Sequence, residues 1–193
     1  RDGADLVDTI MVASIDFQDK SISLLSVPRD FYVKSDKYGN AKINELYRDN
    51  KKQFGDEDTY LLYQEVLGDI ANLDIQYYLR VDFSAFVEVI DSIGGITIDV
   101  KEPIYDPYYP NDTDDGYTVF ETDAGLQNMN GETALKFARS RKTTSDVDRA
   151  MRQQQVLMAI REKALSGDVL SSPKTIGKLY NSIIKNYKMR FFC

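Results

Sequence analysis

The sequence has no histidine and only one cysteine, Cys193. Without histidine the chain cannot build a Ser-His-Asp or Cys-His nucleophilic site, an imidazole acid–base pair or a histidine-rich zinc site. A single cysteine cannot form an intramolecular disulfide or a thiolate metal site, so it does not indicate the redox compartment. Any enzymatic chemistry must therefore depend on carboxylates, arginine, lysine, tyrosine or an oxygen-liganded metal such as Mg²⁺ or Mn²⁺.

Long apolar runs are also missing from the 193 residues. No run approaches the roughly 20 residues that cross a bilayer, and no signal-peptide pattern opens the chain. The chain begins with Arg1 rather than methionine and ends with Cys193 directly after an apolar pair. We therefore expect a single domain over residues 1–193, truncated at both ends, with any targeting or membrane segment outside it.

The charge is acidic overall but unevenly distributed along the chain. A net charge of −7 and a pI near 4.7 argue against nucleic acid as a partner. Residues 136–163 contain eight basic and three acidic residues, whereas residues 99–123 contain eight acidic residues and one lysine. A local basic patch on an acidic protein favours a compact anion such as a phosphate.

The apolar pattern predicts an α/β domain with a mixed central β-sheet sandwiched by helices. Residues 9–15 and 21–27 are predicted to form a hairpin, buried on both faces because its strands are almost continuously apolar. Further strands are predicted at residues 75–81 and 96–100, and residues 102–123 are predicted to be irregular. Helices are predicted at residues 42–53, 57–71, 83–93, 130–139 and 146–165, and from residue 173 onward. Asp82 and Ser145 are the predicted N-caps of two of these helices.

Asp8 and Arg29 are the first candidate site residues. Asp8 stands at the beginning of the first predicted strand, and Arg29 follows the end of the second in Val27-Pro-Arg-Asp30. Because the two strands of a hairpin run antiparallel, we expect these side chains to lie close together. The pair is either a surface salt bridge, which contributes little stability, or part of a site.

The basic cluster favours a site. Arg139 and Arg141 are predicted at the end of a short helix, while Arg149 and Gln153 lie one turn apart on the next helix. The planar donor fork of arginine matches phosphate oxygens, and glutamine adds a neutral donor. Several arginines near a carboxylate are typical of a site that binds a pyrophosphate with a divalent ion. For Arg152, Arg161 and Lys163 we expect only a solvated helix face.

Several short motifs together resemble the LytR–CpsA–Psr family across almost the whole chain. Their order and spacing carry the resemblance, since each one alone is short. They include residues 8–15, Val27-Pro-Arg-Asp30, Lys42-Ile-Asn-Glu45, Ile93-Gly-Gly-Ile96, Ala138-Arg-Ser-Arg141 and residues 148–155.

The resemblance implies an enzyme anchored at the extracytoplasmic face of the bacterial cell membrane. Such enzymes move teichoic acid, capsular polysaccharide or a related glycan from polyprenyl pyrophosphate onto peptidoglycan. It also implies an apolar pocket for the lipid, with the pyrophosphate held at its mouth by arginines and Mg²⁺ or Mn²⁺. Asp8 would bind the metal, and Arg29, Arg139, Arg141, Arg149 and Gln153 would bind the pyrophosphate, with Asp8, Arg29 and Arg149 as the catalytic residues.

The chain departs from the family pattern before Asp8. A small polar residue usually precedes that aspartate, often with an arginine just upstream, whereas here Val7 precedes it and the nearest upstream arginine is Arg1. The family also has a second metal-linked aspartate slightly earlier, and we expect it to lie before residue 1.

Two other functions remain open at this point. A hydrolase would use the same site with water in place of the glycan hydroxyl, and no motif separates it from a transferase. A non-catalytic module that binds lipid-linked glycan is the second alternative. It predicts that Asp8→Ala leaves function intact, whereas the enzyme predicts loss of turnover with the fold preserved.

Overall fold

The structure is a computed structural model that describes residues 7–19, 21–35, 39–111, 115–140 and 146–186. The chain divides into two compact units: the first includes the described residues up to Tyr78, and the second those from Leu79 onward. In the described ranges, none of the helices combines the length and apolar character needed to span a bilayer. The single domain over residues 1–193 stays a prediction.

The first unit begins with the predicted hairpin. Strands β1 (Ile10–Asp16) and β2 (Ser21–Val27) pair antiparallel, with Ile10 opposite Val27. Both of these residues are buried, whereas Ile15, near the turn, and Leu25, opposite Val12, are 56% and 47% exposed. The hairpin is confirmed, but the prediction that both of its faces are buried is wrong. Apolar composition indicates a strand and does not establish what covers it.

A second antiparallel pair leads into the long helix of this unit. Strand β3 (Tyr32–Ser35) pairs with β4 (Gly39–Lys42), and α1 (Ile43–Ala71) follows without a break. Gly55 has a φ of 79° inside α1 and kinks it, which matches the predicted division into two helices. Apolar residues of the strands and helix form one core: Ile10, Val27, Val33, Ile43, Leu46 and Val66.

The second unit places helices beside two more antiparallel pairs. Its elements are α2 (Phe83–Ser92), β5 (Ile96–Val100), β6 (Ile104–Pro110), β7 (Tyr117–Thr122), β8 (Gly125–Met129), α3 (Gly131–Arg139), α4 (Asp146–Ala164), α5 (Gly167–Leu170) and α6 (Pro173–Asn186). Strand β5 pairs with β8, and β6 pairs with β7. The predicted α/β composition is therefore present, and the strands of the described residues pair as four two-stranded sheets.

Helix starts in this unit follow the local sequence. The Asp82 carboxylate accepts a hydrogen bond from the Ala85 amide at 2.8 Å, as expected of the N-cap of α2. The Asn130 side chain caps α3 in the same way, accepting from the Thr133 amide at 2.9 Å. The predicted cap Ser145 lies outside the described residues.

Two predictions about strands are wrong. Residues 75–81 are not a strand, since only an isolated bridge occurs there, at Leu79. Residues 102–123 are not simply irregular, because they include β6 and β7. The elements β3, β4, β8 and α5 were also not predicted. Proline and aspartate disfavour strands locally, but the apolar residues Ile104, Tyr109 and Phe120 are buried in the core, and tertiary packing overrides that preference.

At Gly131, the backbones of α2 and α3 lie close together. A Cβ added there would lie 2.4 Å from the Val87 carbonyl oxygen, so the two helices would have to separate. We expect Gly131→Ala to lower the free energy of unfolding by about 1–3 kcal/mol, the usual cost of overpacking. Urea denaturation followed by circular dichroism measures this.

Gly177→Ala is the matched control, since a Cβ at Gly177 in α6 would meet no atom within 4 Å. It should raise the free energy of unfolding by about 0.5–1 kcal/mol, because alanine favours the helical conformation more than glycine does. Similar changes in both variants would contradict the close contact at Gly131.

Candidate functional site

The hairpin brings Asp8 and Arg29 together in the first unit. Asp8 precedes β1 and Arg29 follows β2, and the pairing of Ile10 with Val27 places these ends side by side. The Nη1 group of Arg29 donates to Oδ1 of Asp8 at 2.9 Å. The predicted proximity of the two residues is confirmed.

The Arg29 guanidinium is more buried than a surface ion pair would require. Its side chain is 25% exposed, compared with 51% for Asp8. The Nε atom is buried and lies 3.6 Å from Oδ2 of Asp30, but within the described residues it makes no hydrogen bond. Lys42 donates to the other Asp30 oxygen at 2.8 Å, and this hydrogen bond raises the pKa of Lys42. Asp30 therefore lies between two cations, while Asp8 pairs with the same arginine.

The start of α1 holds the backbone on both sides of this pair. The Asn44 amide donates to the Arg29 carbonyl oxygen at 3.2 Å, and the Val7 amide donates to the Asn44 carbonyl oxygen at 3.3 Å. Asn44 is itself buried, so these bonds are shielded from water. The positions of Asp8 and Arg29 thus depend on one residue of the Lys42-Ile-Asn-Glu45 motif.

The residues present fit a partial ligand set for a divalent ion. Across the described ranges, no three histidine, cysteine, aspartate or glutamate side chains cluster as a complete metal site would require. Mg²⁺ commonly binds through one or two carboxylates, with water and substrate phosphates completing its shell. A half-exposed carboxylate such as Asp8 suits that type of coordination.

In the second unit, Arg139 is held against aromatic rings. Its guanidinium carbon lies 4.1 Å from the centre of the Phe83 ring and 5.7 Å from that of Tyr109. The Nη1 group also donates to the Tyr109 hydroxyl at 3.3 Å. Contacts with aromatic rings orient the planar guanidinium, and phosphate binding depends on the orientation of its N–H donors.

Arg149 and Gln153 both lie on α4. Arg149 is only 8% exposed, so it does not belong to a solvated helix face. The Gln153 amide donates to the Ala138 carbonyl oxygen at 3.5 Å, one residue before Arg139. Gln153 is therefore adjacent to the end of α3, as the predicted cluster requires. Arg141 lies outside the described residues.

The expectation for Arg152 is wrong, because this residue is buried rather than solvated. It is 7% exposed, and its guanidinium donates to the carbonyl oxygens of Phe137 and Ser140 at 3.0 and 2.5 Å. Burial lowers its pKa, the Asp148 carboxylate acts in the opposite direction, and the charge of Arg149 adds to the lowering. Helical periodicity places Arg152 on a face but does not show that the end of α3 packs there.

A buried carboxylate, Asp106, was missed by the sequence analysis. It is 2% exposed and accepts hydrogen bonds from the Ser140 hydroxyl at 2.8 Å and the Tyr108 amide at 3.1 Å. Its position in an acidic stretch predicted to be irregular concealed it. The only local signal is its spacing of two from Ile104, which places both on one face of a strand.

The predicted site residues fall into two groups. Asp8 and Arg29 belong to the first unit, whereas Arg139, Arg149 and Gln153 belong to the second. The contacts within each group are established by the structure. The convergence of the two groups on one pyrophosphate stays a prediction.

Comparison with known proteins identifies the family. The model of the LytR_cpsA_psr family matches residues 1–192. The chain belongs to the LytR–CpsA–Psr family. The matched residues include the motifs that contain Asp8, Arg29 and Arg139, on which the resemblance was based.

Named relatives of this family member are cell-wall proteins. The chain is 32% identical to the polyisoprenyl-teichoic acid–peptidoglycan teichoic acid transferase TagV of Bacillus subtilis, over 89% of the chain and 41% of TagV. It is 26% identical to the cell wall biosynthesis protein LcpA of Corynebacterium glutamicum, over 94% of the chain and 37% of LcpA. The chain thus spans less than half the length of these two relatives.

The fold agrees with a solved structure of the family. The crystal structure of B. subtilis TagV matches with a TM-score of 0.72 and 28% sequence identity, over 96% of this chain and 66% of that one. The predicted α/β class of the family is therefore confirmed.

Arg152→Met should destabilise the second unit strongly. The substitution would remove the buried hydrogen bonds that the guanidinium donates to the carbonyl oxygens of Phe137 and Ser140. We expect a loss of about 2–4 kcal/mol in the free energy of unfolding. Glu162→Met, at an exposed position of the same helix, is the control and should change it by less than about 0.5 kcal/mol. Equal effects of the two substitutions would show that the buried contacts of Arg152 contribute no stability.

Proposed function

We propose that this chain carries the catalytic site of an enzyme that transfers a polyprenyl-pyrophosphate-linked glycopolymer, such as teichoic acid or capsular polysaccharide, onto peptidoglycan. The observation that carries the proposal is the Arg29–Asp8 pair at 2.9 Å, held by the start of α1 in a member of the LytR–CpsA–Psr family. The name of TagV, a teichoic acid transferase that matches most of the chain, supports the same reaction.

The arginines supply the charge that phosphoryl transfer needs. This reaction depends mainly on positioning and on neutralising oxygen charges, and it does not require histidine. Arg29, Arg139, Arg149 and Gln153 are the proposed ligands of the pyrophosphate. Arg141 belongs to the same proposed set through its position in the family motif.

The proposed step is attack by a glycan hydroxyl of peptidoglycan on the sugar-proximal phosphorus. A new phosphorus–oxygen bond forms, the bond to the bridging oxygen breaks, and polyprenyl phosphate leaves with that oxygen. The proton of the attacking hydroxyl passes to a carboxylate of the site. Bound arginines stabilise the negative charge that builds up on the phosphate oxygens as the bond breaks.

A divalent ion, Mg²⁺ or Mn²⁺, belongs to the proposal. Asp8 would hold it, and when bound it would reduce the charge of the pyrophosphate oxygens. Arg29, which pairs with Asp8, would orient the same pyrophosphate. We also propose that the complete protein acts at the extracytoplasmic face of the cell membrane through an anchor outside this chain.

Arg29→Ala should abolish most of the turnover. Removing a donor that stabilises the developing charge typically lowers the rate by about 10²–10³-fold. The measurement is Mg²⁺-dependent release of polyprenyl phosphate from a polyprenyl-pyrophosphoryl sugar in the presence of peptidoglycan. Arg48→Ala is the matched control, because Arg48 is a 38% exposed arginine that pairs with its neighbour Asp49.

Activity that is equal in the Arg29→Ala and Arg48→Ala proteins would rule out a role for Arg29 in the site. A parallel loss in Asp8→Asn, with thermal unfolding unchanged, would support the carboxylate as a metal ligand. Retained turnover in Asp8→Asn would rule out Asp8 as the metal ligand, whereas no turnover in the unmodified chain, with lipid binding retained, would favour the non-catalytic binding module.

The acceptor distinguishes a transferase from a hydrolase. For the unmodified chain we expect release of polyprenyl phosphate to rise at least about tenfold when peptidoglycan is added, since the site would position a hydroxyl better than water. The measurement compares release with and without acceptor and follows the glycan into the peptidoglycan fraction. Equal release in both conditions, with free glycan as product, would indicate a hydrolase.

A further inference from the structure

Asp106 is an unusual residue for the interior of the second unit. It lies on β6 opposite Phe120, and Ile104 and Tyr109 of the same strand belong to the apolar core. A carboxylate at 2% exposure is costly to bury unless hydrogen bonds and charges compensate it. Its partners therefore indicate what the buried charge is used for.

One side-chain partner of Asp106 is the residue that ends α3. Ser140 is the C-cap of this helix, is 2% exposed, and donates its hydroxyl to Oδ2 of Asp106 at 2.8 Å. The Tyr108 amide satisfies the other carboxylate oxygen at 3.1 Å. Strand β6 is thus joined through Asp106 to the end of a helix that is 34 residues further along the chain.

Helix α4 holds the same end of α3 from its own side. Arg152 donates to the Phe137 and Ser140 carbonyl oxygens, and Gln153 donates to that of Ala138. Cations near a helix C-terminus also interact favourably with the helix dipole. Side chains from two elements therefore fix the backbone on either side of Arg139.

Arg139 is the residue whose position this arrangement determines. Its guanidinium lies over the Phe83 ring and donates to the hydroxyl of Tyr109, which follows Asp106 by three residues on β6. If Ser140 shifted, the backbone of Arg139 would shift with it, and the fork would lose its alignment with these rings. A displacement of about 1 Å can reduce the effectiveness of a positioned group by about 10²-fold.

We propose that Asp106 and Ser140 are positioning residues that hold the end of α3 so that Arg139 can bind the pyrophosphate of the substrate. The proposal rests on the function proposed above for Arg139. Asp106 and Ser140 do not contact the substrate themselves, and they act through the backbone of the segment that carries the arginine.

The test is binding of farnesyl pyrophosphate at fixed Mg²⁺ concentration, measured by titration calorimetry on this chain and its variants. Ser140→Ala should weaken binding by about tenfold, and Asp106→Asn should do the same, since the first removes the donor and the second removes the charge of a charge-assisted hydrogen bond. Ser92→Ala is the matched control, because Ser92 donates only to the Val89 carbonyl within α2. It should bind like the unmodified protein.

A double-mutant cycle separates positioning from general loss of structure. Arg139→Gln should itself weaken binding, and Ser140→Ala should add nothing in that background, because both substitutions remove the same interaction. Additive effects would overturn the proposal, as would unchanged binding in both Ser140→Ala and Asp106→Asn. If Ser140→Ala does not fold, the cycle is made with Asp106→Asn instead.

The experiment distinguishes failure of the function proposed for Arg139 from failure of the positioning role proposed for Asp106 and Ser140. Unchanged binding in Arg139→Gln would contradict the function proposed for that arginine. Weakened binding in Arg139→Gln, together with normal binding in both positioning variants, would overturn only the inference about Asp106 and Ser140.

Discussion

The buried guanidinium of Arg152 joins α4 to the end of α3 in the second unit. A permanently charged group at 7% exposure needs acceptors, and it finds them in the backbone carbonyls at the end of α3. Those carbonyls cannot be bonded within their own helix, because the last turn of a helix leaves its acceptors free. One side chain thus satisfies both needs, and in doing so it fixes α4 against the segment that carries Arg139.

In the first unit, backbone hydrogen bonds hold the segments that carry the proposed site residues. Asn44 lies in the first turn of α1. Its backbone amide and carbonyl form hydrogen bonds with the segments that carry Arg29 and Asp8. The pair could otherwise be an ordinary surface salt bridge of little energetic value. Unlike such a salt bridge, this pair is partly buried and its backbone is held by hydrogen bonds. It also lies in a chain whose sequence matches the family model.

Local patterns predicted the features that depend on neighbouring residues. The hairpin, the division of the long helix near Gly55 and the cap at Asp82 all follow from alternation, glycine and short polar side chains. The register of that hairpin also made Asp8 and Arg29 predictable as a pair. The strands within residues 102–123 were not predictable in this way, because they are stabilised by core packing against local propensity.

The sequence by itself determined the family, and its lack of histidine excluded imidazole chemistry; it also predicted which arginines and which carboxylate would form a pyrophosphate site. Only the tertiary structure decided which polar residues are buried. Arg152 and Arg149 are spaced like any residues of an exposed helix face, and Asp106 is one acid among many. Their burial depends on elements far away in the chain that pack over them, and such contacts leave no local pattern in a single sequence.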